Sequence, residues 1–219
     1  REVPASAMQM KQIREINLNP VEGAAKGALK LNGKAVEAEF AFENLSLLWK
    51  AVLRDGSHYL RTELEVTAQQ DVAMRGLVAM KYTYDNQFGK QLPQVVGNTR
   101  GAVIANDKIF AGLETPMGIN TVASAPTVET SQLQGLWSRQ TTLAAGKTWQ
   151  VGAVVGLIAP DQARRSFLAY SERERAVPWR ATPVYISWYE LNIDRNNSKD
   201  YSENMTSKQC VDAVSYTHL

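Results

Sequence analysis

The chain has 219 residues, 44% hydrophobic and 21% charged, a globular composition that fits one sandwich-sized domain or one domain with part of a second. Lys and Arg total 24 against 22 Asp and Glu, and the densest basic stretch, Arg164 to Arg175, is interrupted by Glu172 and Glu174, which argues against a nucleic-acid partner. No run approaches the ~20 apolar residues of a membrane-crossing helix, and a lone Cys210 with only His58 and His218 removes a disulfide framework and most zinc or Ser-His chemistry.

The chain opens Arg1-Glu2-Val3-Pro4, without an initiating Met or a signal peptide, which reads as a processed or incomplete start. From about Leu31 to Ala159 apolar and polar residues alternate with period two. Ala38, Phe40 and Phe42 share one face, opposite Glu37, Glu39 and Glu43. Leu47, Trp49, Ala51 and Leu53 alternate with Lys50 and Arg54 up to Asp55-Gly56; beyond it Leu60, Leu64 and Val66 alternate with Tyr59, Arg61, Glu63 and Glu65. Two such runs around Asp-Gly predict a hairpin. The alternation continues from Val72 to Tyr84. A second hairpin is predicted where Ala102–Ala105 and Ile109–Leu113 flank Asn106-Asp107. Trp149, Val151, Ala153, Val155 and Leu157 form a last long strand after Gly146-Lys147. Strands at this spacing, with no helix between them, predict an antiparallel β-sandwich over residues 1–159, each sheet burying one face.

The pattern changes at Pro160. Asp161 is the expected N-cap of a connector helix within residues 160–178, because Ala163, Phe167 and Tyr170 recur at spacings of four and three. The helix should stop near Arg175, since Val177 precedes Pro178 and is pushed towards extended geometry. Pro183-Val-Tyr-Ile-Ser-Trp-Tyr189 then reads as a strand buried on both faces, as in parallel sheets and barrels. A polar loop, Asn192 to Asn204, follows, and Thr206 with Gln209 has capping-box spacing ahead of another helix. Residues 179–212 are thus expected to be the first β/α unit of a truncated TIM barrel. The final stretch, 213–219, contains Val214-Ser-Tyr-Thr-His-Leu219, which resembles the translation of a sequencing-library transposon end, and is read as a non-native tail.

The segment Arg180-Ala-Thr-Pro-Val-Tyr-Ile-Ser-Trp-Tyr-Glu190 resembles the first barrel strand of the alpha-galactosidase-like clan of retaining glycoside hydrolases. Members carry a Pro-Val-x-x-Asn/Ser-Trp-type strand after an amino-terminal β-supersandwich of the galactose-mutarotase kind. Three upstream segments share the resemblance: Leu53–Arg61, Ile109–Pro116 and Arg164–Leu168. Ile186 stands before Ser187-Trp188 where many relatives have Asn. The resemblance implies a glycoside hydrolase acting on alpha-galactoside-type glycans, with an oligosaccharide or glycan as partner and no cofactor or metal. The expected location is the periplasm or exterior of a bacterium.

Side chains at the carboxyl end of a barrel strand face the catalytic mouth. Trp188, Tyr189 and Glu190 occupy that end, where an indole can stack on a sugar ring and a carboxylate can accept hydrogen bonds from its hydroxyls. Without the resemblance, the two aromatics read as packing residues and Glu190 as a loop acid. Retaining glycosidases need two carboxyl groups ~5–5.5 Å apart, which in the resembling clan come from later barrel strands; Glu190, Asp194 and Asp200 show no pair spacing, so no catalytic residue is assigned. His58 reads as a surface residue of a hairpin turn. Asn44, Asn196 and Asn204 open glycosylation sequons of the kind that arise by chance. Arg139, Arg164 and Arg165 can clamp a carboxylate or simply lie in paired surface charge. Two other readings compete: a stand-alone carbohydrate-binding β-sandwich without catalysis, and a structural or adhesive sandwich. Sequence leaves the oligomeric state open.

Overall fold

A computed structural model describes residues 3–124, 129–180 and 207–217. The chain divides into two units, Arg1–Pro178 and Trp179–Leu219. The strands of the first unit are β1 (Gln9–Leu18), β2 (Gly33–Phe42), β3 (Leu45–Arg54), β4 (Tyr59–Ala68), β5 (Val72–Asp85), β6 (Gln94–Val96), β7 (Val103–Ala105), β8 (Ile109–Leu113), β9 (Gly118–Ala123), β10 (Thr130–Leu143) and β11 (Thr148–Leu157). They form an eight-stranded sheet in the order β1-β2-β3-β4-β11-β8-β7-β6 and a three-stranded sheet in the order β5-β10-β9. Neighbours pair antiparallel in both.

Both predicted hairpins are present. Asp55-Gly56 joins β3 to β4, with Gly56 at φ +65°, a conformation glycine adopts without steric cost. Asn106-Asp107 joins β7 to β8, and the buried Asn106 side chain organises the turn. Its Oδ1 accepts from the Lys108 and Ile109 amides at 2.8 and 2.9 Å, and its Nδ2 donates to the Tyr84 hydroxyl at 2.9 Å. Asx side chains close turns in this way by copying a backbone acceptor.

The two sheets meet over a core that includes Val66, Met80, Ile104, Leu133, Leu143 and Ala153, all nearly inaccessible to water. Alternation along β4 and β11 sends Leu64, Val66, Val151 and Ala153 into this core. The opposite face of the large sheet carries a second cluster, Tyr59, Phe110, Val154 and Ile158, against which Phe167 and Tyr170 pack. The expectation of one buried face per sheet is therefore corrected: over β4, β11 and β8 the large sheet is buried on both. Its outer cover is helix α1 (Ala163–Glu174).

Two further expectations change. Strand β1 lies ahead of the first stretch read as alternating. It pairs along β2 as the exposed edge of the large sheet, and with neither face buried its Met10, Ile13 and Ile16 fall at spacings of three with no period-two pattern. Asp161 does not cap α1. It sits at φ +57°, a left-handed turn that aspartate tolerates better than most residues, and Gln162 takes the cap position without a side-chain bond. The helix does end at Arg175, whose φ and ψ of −60° and 142° are extended. In the second unit, helix α2 (Ser207–Thr217) carries a Lys208–Asp212 ion pair of 2.6 Å and continues into the residues read as a tail. The capping residue Thr206 lies outside the described residues.

Candidate functional site

Trp188, Tyr189 and Glu190, with Asp194, Asp200, Asn196 and Asn204, lie outside the described residues, as does the predicted barrel strand 183–189. Within the first unit, partly buried charged and aromatic side chains gather on the outer face of the large sheet, beneath α1.

Arg61 of β4 is the centre of this group. Its Nε donates to both Glu114 carboxylate oxygens at 2.8 and 3.0 Å, and its Nη2 donates to Glu114 Oε2 at 2.5 Å. Nη1 donates to Glu63 at 3.2 Å, and Nε lies 3.4 Å from Glu174 Oε2. Glu114 also accepts from the Tyr170 hydroxyl at 2.7 Å, and Glu174 accepts from the Tyr59 hydroxyl at 2.8 Å and pairs with Lys26 at 2.5 Å. The register of β1 to β4 aligns Arg14, Glu37, Lys50 and Glu63 in one cross-strand row of alternating sign. Lys50 and Arg14 reach Glu37 at 2.9 and 2.8 Å. The next residue in the row, on β11, is Gly152. A Cβ there would strike the Glu114 carboxylate, so glycine leaves the space in which that carboxylate meets Arg61. Gly156 likewise makes room for the Phe110 ring.

Burial and charge act together here. Burial lowers the proton affinity of the Arg61 guanidinium, but the Glu114 hydrogen bonds and the charges of Glu114, Glu174 and Glu63 outweigh it and hold the group above its usual value. Burial first, then the bond to Glu174, pushes the Tyr59 phenol up; burial first, then the charge and bond of Glu114, does the same to Tyr170. Hydrogen bonds from Lys50 and Arg14 hold Glu37 below the ordinary carboxylate value. Glu114 accepts four bonds, three from Arg61 and one from Tyr170, and so ties the sheet to α1. The arrangement fixes α1 to the sheet.

Further contacts complete the seat. His58, expected at the surface, is half-buried; its Nε2 donates to the Ser166 carbonyl at 2.9 Å and its ring stands edge-on to Tyr59 and Phe110. Arg173 donates to the Gly56 carbonyl and the Ser57 hydroxyl at 2.8 and 3.0 Å. Ring centroids of Phe110 and Phe167 lie 5.4 Å apart and those of Tyr59 and Tyr170 5.0 Å, both edge-to-face. Arg139 lies elsewhere, its guanidinium 4.8 and 5.2 Å from the Trp137 and Trp149 ring centroids, a cation–π contact. Arg164 and Arg165 are exposed on α1. Among the described residues, no group of three or more His, Cys, Asp or Glu is placed to hold a metal, and no helix is long and apolar enough to cross a membrane.

Beside the network, a cavity of about 130 Å³ opens between β3, β4, the Lys26–Leu29 turn and the end of α1. Lys26, Lys50, Arg54, Arg61, Glu63 and Glu174 line it, with Leu18, Leu29 and Val52 forming an aliphatic side. Sequence reasoning missed this whole region, because its charges read as a solvated strand face. The signal that could have revealed it is the pair of glycines, Gly152 and Gly156, on the same face of a strand otherwise rich in β-branched residues.

The first unit is thus a two-sheet antiparallel β-sandwich with a helix fixed by ion pairs and aromatic packing to the outer face of its larger sheet. No protein-family model and no curated protein sequence matches the chain. Among solved structures, the galactosidase domain of an alpha-galactosidase–sucrose kinase is similar at 10% identity and a TM-score of 0.47, over 70% of this chain and 28% of that one. An alpha-galactosidase from Geobacillus stearothermophilus, solved in complex with 1-deoxygalactonojirimycin, is similar at 11% identity and a TM-score of 0.46, over 87% of this chain and 35% of that one. A structure of the same enzyme in complex with raffinose gives 9% identity and a TM-score of 0.42, over 73% and 29%. The chain therefore spans between 28% and 35% of the length of these three structures.

Proposed function

We propose that this chain is the amino-terminal part of a carbohydrate-active enzyme, a glycoside hydrolase acting on alpha-galactoside-type glycans. In this reading the sandwich is the non-catalytic companion of a β/α barrel that begins near residue 179. The observation that supports it is the convergence of the three sandwich segments resembling the alpha-galactosidase-like clan. Leu53–Arg61 supplies His58, Tyr59 and Arg61, Ile109–Pro116 supplies Phe110 and Glu114, and Arg164–Leu168 supplies Ser166 and Phe167. Sequence separations reach 108 residues, yet all three build the seat of α1, the last element before Pro178. A helix seated by this many contacts closes the sandwich ahead of the next domain.

Under this reading Trp188 stacks on the sugar, and Tyr189 and Glu190 bond its hydroxyls from the carboxyl end of the first barrel strand. The nucleophile and acid/base carboxyl groups come from later strands, and the enzyme works in a bacterial periplasm or outside the cell. The test uses aryl alpha-galactosides with the intact enzyme and with the 219-residue chain. The intact enzyme should turn them over, with Trp188→Ala raising KM about tenfold, roughly 1.4 kcal/mol of lost binding. The 219-residue chain should match a buffer blank. An intact enzyme inert on alpha-galactosides refutes the substrate assignment, and turnover by the 219-residue chain that disappears in Glu190→Gln would put the chemistry in the first barrel strand.

A further inference from the structure

We propose that the cavity beside α1 is a binding site for a neutral polyhydroxylated ring, a single pyranose or a cyclitol of that size. The inference rests on the cavity itself and is independent of the enzymatic reading above. The space, about 130 Å³, far exceeds the ~10–15 Å³ that one water requires.

Charge compensation identifies the ligand class. Glu174 is paired with Lys26 and Arg61, Glu63 with Arg61, and Lys50 with Glu37. Five of the six charged wall residues are thus answered by an opposite charge and the sixth, Arg54, by the Asn19 and Leu31 carbonyls, so a bound phosphate or metal ion would compete with pairs already made. A neutral ligand leaves them intact. Hydrogen-bonding capacity nevertheless remains. Each lysine ammonium has three donors and each carboxylate about four acceptor positions, more than these ion pairs use. Arg54 directs Nη1 at the Leu31 carbonyl, 2.7 Å away, which steadies its guanidinium at the cavity wall. Hydroxyl groups, which donate and accept, match a wall of ammonium, guanidinium and carboxylate groups. Leu18, Leu29 and Val52 offer an aliphatic side that water cannot bond but that the C–H face of a ring can cover. The charged groups are also held in place before any ligand arrives: the Glu174 side chain is 7% exposed and that of Arg61 16%. Rigid, paired groups lose little freedom on binding.

The experiment is saturation-transfer NMR and calorimetric titration of the 219-residue chain with galactose, glucose, myo-inositol and, as the ionic control, inorganic phosphate. Saturable binding of at least one of the three rings, largely insensitive to salt, is expected. Val52→Phe should fill the cavity and weaken binding at least tenfold. Glu63→Gln, which keeps the shape and removes one acceptor charge, should weaken it several-fold and covers the case in which Val52→Phe does not fold. Saturable phosphate binding that displaces the ring and fades with salt would overturn the proposal in favour of an anion site. No saturable ring binding, or ring binding unchanged in a folded variant, would overturn it outright. Such a failure leaves hydrolysis by the intact enzyme untouched, so the two readings fail separately.

Discussion

Gly152→Ala tests whether the Arg61–Glu114 pair is what holds the outer face together. The added methyl group would meet the Glu114 carboxylate and little else, with Arg61 Nη2 next at 3.6 Å. A carboxylate at the end of a free side chain would swing aside at little cost. This one is held by three bonds from Arg61 and one from Tyr170, so moving it breaks all four. Separating one partner of a buried ion pair costs ~3–5 kcal/mol. Glu114 keeps 15% of its side chain exposed, which favours the low end, about 3 kcal/mol. For a domain of this size that is a fall in Tm of about 6–12 °C. The diagnostic is the background. In Glu114→Ala the obstruction is gone, so adding Gly152→Ala should cost nothing and can return ~0.5–1 kcal/mol by replacing glycine within a strand. Thermal and denaturant unfolding of the four proteins completes the cycle. Gly152→Ala as stable as the parent, or an equal penalty on the Glu114→Ala background, would refute the reasoning.

Other outcomes follow from the same joint. Tyr170→Phe removes a 2.7 Å bond to an ionised carboxylate and should cost about 1.5 kcal/mol by urea unfolding; a change within error would mean that Arg61 alone satisfies Glu114. Phe110→Ala empties the centre of the ring cluster and should cost ~3–5 kcal/mol, with trypsin cutting α1 at Arg164 to Arg175 faster than in the parent. Tyr59 and Tyr170 have folded-state values raised above the unfolded tyrosine value of ~10. Their contribution is therefore complete below pH ~10 and is lost as pH rises beyond it. Tm should fall on that limb, less steeply in Tyr170→Phe, and a Tm unchanged up to pH ~11 would count against the assignment.

The hairpins were legible because their turns are written locally: Asp55-Gly56 and Asn106-Asp107 need only their own residues and two alternating flanks. Strand β1 was not, since it is an exposed edge strand with neither face buried, and nothing imposes period two on Met10, Ile13 and Ile16. Nor does alternation say which strands share a sheet, so the division into eight and three strands emerges only from pairing. The α1 seat was hidden for a different reason. Arg61, Glu63 and Tyr59 occupy alternate positions of β4, where charge ordinarily signals solvent, and their partners stand far along the chain, Glu174 being 115 residues from Tyr59. Charges that cancel in space do not advertise burial in sequence. The expected sugar contacts Trp188, Tyr189 and Glu190 lie outside the described residues, so only the sandwich half of the sequence reading meets the structure.

The position of β11 has a consequence for how this protein is made. It lies between β4 and β8, so the large sheet exists during synthesis as two separate blocks, β1 to β4 and β6 to β8, each with an open edge. Thr67 and Thr148, hydrogen-bonded across the seam, are 81 residues apart, an interval of roughly 4–16 s at ordinary elongation rates of ~5–20 residues per second. The β4 edge is available to the wrong strand or to another nascent chain throughout that time, and the β8 edge from its own synthesis onwards. The arrival of β11 closes both at once, and α1 emerges immediately behind it to cover the face that β11 completes. A ribosome that pauses before β11 has emerged should therefore yield aggregate, while a pause once α1 has cleared the ribosome should yield a folded sandwich.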